Sequence, residues 1–210
     1  MIEIHNVEVS GWEAAVRGMR NPMNSWEKSD TTYCFLDEYN MKVIIGTNYL
    51  DLMKRLVKAG TDHSKFMRMI NVTADIKAPL YWWKEYDTYK VGTVANSCST
   101  MHKIADKEFT LEDFSCEHLN KRSRDWLYDI VNELNMNREF YIETKDKEWW
   151  WQMIQLLPSS YNQLRTVQLN YAVLRNIYHA RKDHRLDDWR HFCAWVETLP
   201  YAKELITGGD

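Results

Sequence analysis

Between Asp87 and Lys103 the chain reads DTYKVGTVANSCSTMHK, a run of hydroxyls, amides and one glycine directly behind the aromatic segment APLYWWKEY. Thr93, Asn96, Ser97, Ser99 and Thr100 place several hydrogen-bond donors and acceptors within eight residues. Gly92 lets the backbone approach a ligand closely. Groups of this kind suit the edge of a nucleobase or a phosphate. A solvated surface loop has the same composition, so both readings stand. A second set is Asn170, Asn176 and Arg181, read here on one long helix whose other face is apolar, with Asn176 pointing away from the face that Asn170 and Arg181 share. Asn170 and Arg181 then lie three turns, about 16 Å, apart along the axis. An arginine can hold a carbonyl or phosphate through paired hydrogen bonds; a merely solvated face is the alternative.

His184, Asp187, Asp188 and His191 recur at helical spacing, as a metal site would require. Lys182, Arg185 and Arg190 crowd the same segment, and cations oppose a divalent ion, so no metal is expected. The triplet Trp149–Trp151 points in three directions, which suits either core packing or a subunit contact. No G-x-S-x-G, phosphate-binding G-x-x-x-x-G-K or dinucleotide-binding G-x-G-x-x-G run is present.

The elements that must position these groups follow from composition and periodicity. The chain has 210 residues, 45% of them hydrophobic, with 10 Trp and 12 Tyr, ample for a core. A net charge of −3 gives no reason to expect nucleic acid or an anionic membrane as partner. Cys34, Cys98, Cys116 and Cys193 are scattered without a C-x-x-C pair, which suits a reducing, cytoplasmic setting. The acidic, alternating start MIEIHNVEVSG does not read as a signal peptide, and no apolar run is long enough for a membrane span.

Ile2 to Val9 predicts a strand, and Trp12–Arg20 a helix stopped at Asn21-Pro22. Thr32–Leu36 and Met41–Ile45 predict a hairpin joined by DEYN. A helix from about Tyr49 buries Leu50, Met53, Leu56 and Val57 and ends at Gly60. Phe66–Ile76 reads as a strand. Pro79 fits the first turn of a helix carrying Leu80, Trp83 and Tyr86 and ended by Gly92. Ser123 suits the cap of a helix with Trp126, Leu127, Ile130, Val131 and Leu134 facing inward. Trp149–Leu157 is a further helix, and Leu164, Val167, Tyr171, Leu174 and Tyr178 form the stripe of a long one. Helix resumes at Leu186, with Pro200 kinking it. The sum is one α+β domain over residues 1–210, richer in helix than strand, with insertions near 32–46 and 104–121.

Read in order, these pieces resemble the flavin-dependent thymidylate synthase family, ThyX. AAVRGMRNPMNSW resembles the family's early helix, and LDLMKRLVKAGTDHSKF the helix and turn leading to a flavin-contacting histidine, here His63. DIKAPLYWWKEYDTYK resembles the strand-to-helix passage before a basic triad, and LLPSSYNQLRTVQLNYAVLRNIYHARKDHR the C-terminal segment. The polar run of residues 93–100 then occupies the place of the signature R-H-R-x-x-S-x-N-E-x-S-x-R. Here the triad is Thr88, Tyr89 and Lys90, and one extra residue falls near Val94-Ala95. Asn96 and Ser99 match, Ser97 stands for the glutamate, and Met101 or His102 for the last arginine. Ile154 stands where another phosphate-binding arginine is expected.

The resemblance implies a central, mainly antiparallel sheet flanked by long helices, and a homotetramer with flavin between subunits. It implies FAD held by His63, Tyr89, Lys90, Asn96, Asn170 and Asn176. Glu85, Thr88, Ser97, Ser99 and Arg181 would hold dUMP or a related pyrimidine nucleotide, with Arg181 also the catalytic residue that polarises the ring. The implied reaction converts dUMP to dTMP, with methylenetetrahydrofolate giving the carbon and NADPH reducing the flavin. The missing arginines remove guanidinium forks worth about 1.5–3 kcal/mol per charge-assisted bond. Lys84, Lys90, His102 and Lys103 are the cations left nearby. That departure motivates two further readings, an enzyme for another pyrimidine or nucleoside and a flavin-binding oligomer without turnover.

Overall fold

The computed structural model describes residues 1–35 and 41–208. Chain order is β1 (Glu3–Ser10), α1 (Trp12–Arg20), β2 (Thr32–Phe35), β3 (Met41–Ile44), α2 (Thr47–Lys58), β4 (Asn71–Pro79), α3 (Leu80–Tyr86), β5 (Thr93–Ser97) and α4 (Thr100–Lys103). Then come α5 (Lys121–Thr144), α6 (Lys147–Leu156), β6 (Asn162–Asn170), α7 (Tyr171–Arg181) and α8 (Asp187–Glu197). Helix and antiparallel sheet are mixed, the α+β class expected. Four strands form one sheet in the order β1-β4-β6-β5, and β2 pairs with β3 from Thr32↔Ile44 to Phe35↔Met41. The predicted hairpin is therefore seen in its strands, while Leu36 and the DEYN connection lie outside the described residues.

The chain divides into two compact units, and the division falls within the strands of the sheet. The first comprises Met1–His5, Asp75–Thr88 and Ala95–Thr166. Its apolar cluster gathers Ile104, Phe109, Phe114, Leu127, Val131, Leu134 and Met153. Asn120 caps α5 by accepting from the Ser123 N–H at 2.9 Å, so the expected cap, Ser123, instead stands three residues inside. Trp126, expected inside, is 61% exposed, because the buried stripe runs through Leu127, Val131 and Leu134.

The second unit comprises Asn6–Ala74, Tyr89–Val94 and Val167–Asp210. Trp12 packs edge-on against Tyr171 and Tyr201, both at 5.3 Å between ring centroids. Gly11 precedes α1 at φ 86°, and a Cβ there would lie 1.9 Å from the Met69 carbonyl oxygen, so no other residue fits.

Several element boundaries differ from expectation for identifiable reasons. The expected stripe is helical only from Tyr171 onward: residues 162–170 are strand β6, and Leu164 is 40% exposed. The alternation of buried Val167 and Leu169 with exposed Thr166 and Gln168 is the period-2 signal that governs. The strand expected over Phe66–Ile76 is β4, whose alternation of buried Val72, Ala74, Ile76 and Ala78 carries it through Pro79. Lys65–Arg68 forms a short 3-10 turn instead. Pro79 thus ends a strand rather than opening a turn of helix, and α3 stops at Tyr86, well before Gly92. Residues 93–97, read as loop, form strand β5.

Candidate functional site

In the second unit, the polar groups build around Arg181, the last residue of α7. Its Nε donates to the Tyr89 hydroxyl at 2.8 Å, a contact across 92 residues of sequence. The guanidinium carbon lies 4.8 Å from the Trp189 ring centre and 5.6 Å from that of Tyr89. Cation–π attraction and the hydrogen bond together fix the plane of the fork. Tyr89 and Trp189 meet edge-on at 6.1 Å. His184 stands 3.0 Å from Arg181 Nη1 through Nε2, and its Nδ1 accepts from the Leu186 N–H at 3.2 Å.

The C-terminal run expected to lie along one helical face is split. His184 precedes α8, which opens at Asp187. Asp187 pairs with Arg190, Asp188 is buried and His191 is exposed. Among the described residues no cluster of three or more His, Cys, Asp or Glu side chains could hold a metal ion.

Asn170 has a structural duty the sequence reading did not give it. Its Oδ1 accepts from the Val173 N–H at 3.1 Å and caps α7, so it belongs to the helix entry and not to a helical face. Gly92, at φ 79°, lies close by: a Cβ there would sit 3.0 Å from Asn170 Nδ2 and 3.1 Å from Val173. The Thr93 hydroxyl donates to the Tyr89 carbonyl at 2.5 Å and closes the turn between them. Asn176 is exposed on α7. His63 is exposed in the turn after α2, where its N–H donates to the Gly60 carbonyl at 3.1 Å. Lys90 is exposed.

In the first unit, α3 carries Glu85 half-buried, and the Thr88 hydroxyl donates to the Glu85 carbonyl at 2.7 Å, closing the helix end. Trp83 donates from its indole N–H to the Gln163 carbonyl at 2.9 Å, and the Arg165 guanidinium lies 4.3 Å above that indole. Arg165 also reaches Asp87 at 2.8 Å. Asn96 and Ser97 are exposed along β5, and Ser99 caps α4 by accepting from the His102 N–H at 3.2 Å.

A cavity of about 320 Å³ opens beside Ser99 and Thr100, lined also by Lys77, Lys103, Lys107 and Gln163. Its lysines are already answered by acids: Lys77 by Glu3 at 3.3 Å, Lys103 by Asp106 at 2.8 Å, Lys107 by Asp113. Ile154 packs half-buried against the apolar cluster and offers a phosphate no charge or hydrogen bond.

The structure thus brings Tyr89 and Arg181 together, and Asn170 beside Gly92. It spreads His63, Lys90 and Asn176 over exposed positions of the second unit, and Glu85, Thr88, Asn96, Ser97 and Ser99 through the first. Trp189, the aromatic face under Arg181, was missed from sequence; a tryptophan inside the charged run KDHRLDDWR was the available signal.

No protein-family model matches the chain, and no curated protein is significantly similar to it in sequence. Solved structures are similar in fold. The flavin-dependent thymidylate synthase ThyX of Helicobacter pylori, complexed with FAD and dUMP, superposes with a TM-score of 0.69 at 16% identity, covering 98% of each chain. PolB, a UMP/dUMP methylase of Streptomyces cacaoi bound with 5-Br dUMP, superposes with a TM-score of 0.63 at 14% identity, covering 99% of this chain and 95% of the other. The same methylase bound with 5-Br UMP gives 0.59 at 14% identity over 99% and 94%. Across almost its whole length, the chain has the fold of ThyX.

Proposed function

We propose that the chain is a divergent member of the ThyX family that methylates a pyrimidine nucleotide, dUMP foremost, with FAD, NADPH and methylenetetrahydrofolate. The observation that carries this reading is the Tyr89–Arg181 hydrogen bond. The resemblance assigns both residues to one site from motifs distant in sequence, and in the fold they are partners.

The residues present fit a flavin. Among the described residues none engages the side chains of His63, Lys90, Asn96 or Asn176, so imidazole, ammonium and carboxamide groups remain to meet a polar ring edge and a pyrophosphate. The flavin, when bound and reduced, supplies the hydride. The chain's own contribution is alignment and electrostatics. Arg181, held by Tyr89 and Trp189, presents fixed positive charge to a pyrimidine ring on which negative charge develops. No side-chain nucleophile is needed. Assembly as a cytoplasmic homotetramer is part of the proposal, and exposed Trp126, Tyr128 and Trp151 on α5 and α6 suit a contact between copies.

A second reading, action on another pyrimidine or on a nucleoside, is favoured by the phosphate side. Thr88 is committed to a helix end, Ile154 to a core and Lys103 to Asp106. One assay separates the two. Protein supplied with FAD, NADPH and methylenetetrahydrofolate is given dUMP, UMP or deoxyuridine, and the products are weighed by mass spectrometry. A methyl gain on dUMP, lost in Arg181→Ala, is the expected result. Gain on deoxyuridine alone shifts the reading to the second, and no gain on any of them contradicts catalysis.

A further inference from the structure

A second polar concavity, in the second unit, shares no residue with the proposed flavin and pyrimidine contacts. It has a volume of about 730 Å³ and is bordered by Arg20, Lys28, Lys54 and Arg55, with Asp51 the only acid lining it among the described residues. Asp51 is answered by Lys54 at 3.8 Å. Four cations thus face one carboxylate in a chain whose net charge is −3. Like charges gathered on one concave surface repel each other, and a bound anion relieves the repulsion.

The arginine at the inner wall is fixed in advance. Its guanidinium carbon lies 4.4 Å above the ring of buried Tyr49, and Nη2 donates to the Lys28 carbonyl at 3.4 Å. Tyr49 is itself anchored where its N–H donates to Asp30 at 3.1 Å. Arg20 Nε is buried and has no hydrogen-bond partner among the described residues. Burial closes Nε to a ligand, so the fork held in this plane meets one through its terminal nitrogens. From α2, Lys54 also borders an adjoining depression of about 430 Å³ that Lys58 and Lys203 edge, with Glu204 the one acid among its described lining residues, so the excess of positive charge extends beyond one phosphate's reach.

We propose that this concavity binds an oligophosphate, the di- or triphosphate group of a nucleotide or its inorganic equivalent. Guanidinium forks match phosphate oxygens bidentately. A single phosphate ester carries about −1.5 to −2 charge at neutral pH, too little to balance the cations left once Asp51 has answered Lys54, whereas linked phosphates carry more charge and balance them.

Calorimetric titration of the whole protein with tripolyphosphate, at about 0.15 M salt to screen diffuse attraction, tests the site. Saturable binding is expected, weakened roughly tenfold by Arg20→Gln and by Arg55→Gln, the loss of one charge-assisted contact. Arg55 is exposed, so its replacement tests the site even if Arg20→Gln disturbs packing on Tyr49. Lys121→Gln, an exposed lysine of the other unit, should change nothing. ATP binding with the same sensitivity to Arg55→Gln identifies nucleotides as a source; tripolyphosphate binding alone identifies the inorganic one. The proposal is overturned by absent saturation, by equal affinity for orthophosphate, by equal loss in Lys121→Gln, or by complete displacement with FAD, which would make the concavity the flavin's own.

Discussion

The Nε of Arg181 donates to the Tyr89 hydroxyl at 2.8 Å while the same guanidinium lies over the Trp189 ring at 4.8 Å. One contact sets the direction of the fork and the other its plane. Tyr89→Phe removes only the first. Because Arg181 is half-buried, the loss lies at the low end for a charged hydrogen bond, about 1.5 kcal/mol. Methyl transfer in Tyr89→Phe should therefore fall roughly tenfold in kcat/KM, with the melting temperature lowered by only a few degrees. Unaltered kinetics would remove Tyr89 from the positioning of Arg181.

Asn170 caps α7, so its replacement reports on stability as well as on flavin. Asn170→Ala should cost about 1 kcal/mol in urea denaturation, and Asn170→Ser, which keeps a capping oxygen, should recover most of it. Flavin affinity should fall in both, since neither has the carboxamide. Equal stability of the two variants would contradict the cap.

Asp113 gives a pH dependence. Burial pushes its pKa up, but hydrogen bonds from Lys107 and the Thr110 N–H outweigh burial and hold it below the usual carboxylate range. A pKa lower in the folded than in the unfolded chain stabilises the fold above the unfolded value, about 3.9. That contribution is lost as pH falls through the folded value. Stability measured by denaturant from neutral pH into acid should show this loss, and Asp113→Asn should be less stable at neutral pH with a shallower fall. An identical slope in the variant would show that Asp113 is not its source.

The cysteines should differ in reactivity. Cys34 and Cys98 are exposed, while Cys193 is buried and its thiol is pushed up to about 11, chiefly by burial. A thiolate is the attacking species, so a thiol reagent near neutral pH should label Cys34 and Cys98 first and Cys193 only on unfolding. Early labelling of Cys193 would place α8 wrongly.

Legibility in the sequence followed the locality of each signal. Trp12–Arg20 could be delimited because Gly11 and Asn21-Pro22 punctuate it on both sides. β6 could not, since Leu164, Val167 and Tyr171 fall by coincidence at helical spacing while the true alternation is only a few residues long. Residues 93–97 carry a single large apolar side chain, Val94, too little to advertise a strand, and they become one through their neighbour β6 in the sheet. For the site, motif resemblance singled out Tyr89 and Arg181 separately. Their bond is long-range pairing, which no local pattern encodes. The capping duty of Asn170 is hidden in the sequence because the apolar spacing carries the helix back past its true start at Tyr171.

The central claim is that this fold holds a flavin, and the visible spectrum under FAD titration tests it most directly. Purified protein should retain FAD through ultrafiltration, with a perturbed flavin band and quenched fluorescence, and His63→Ala and Asn176→Ala should each release more of it. FAD that passes freely into the filtrate with an unchanged spectrum would contradict the account.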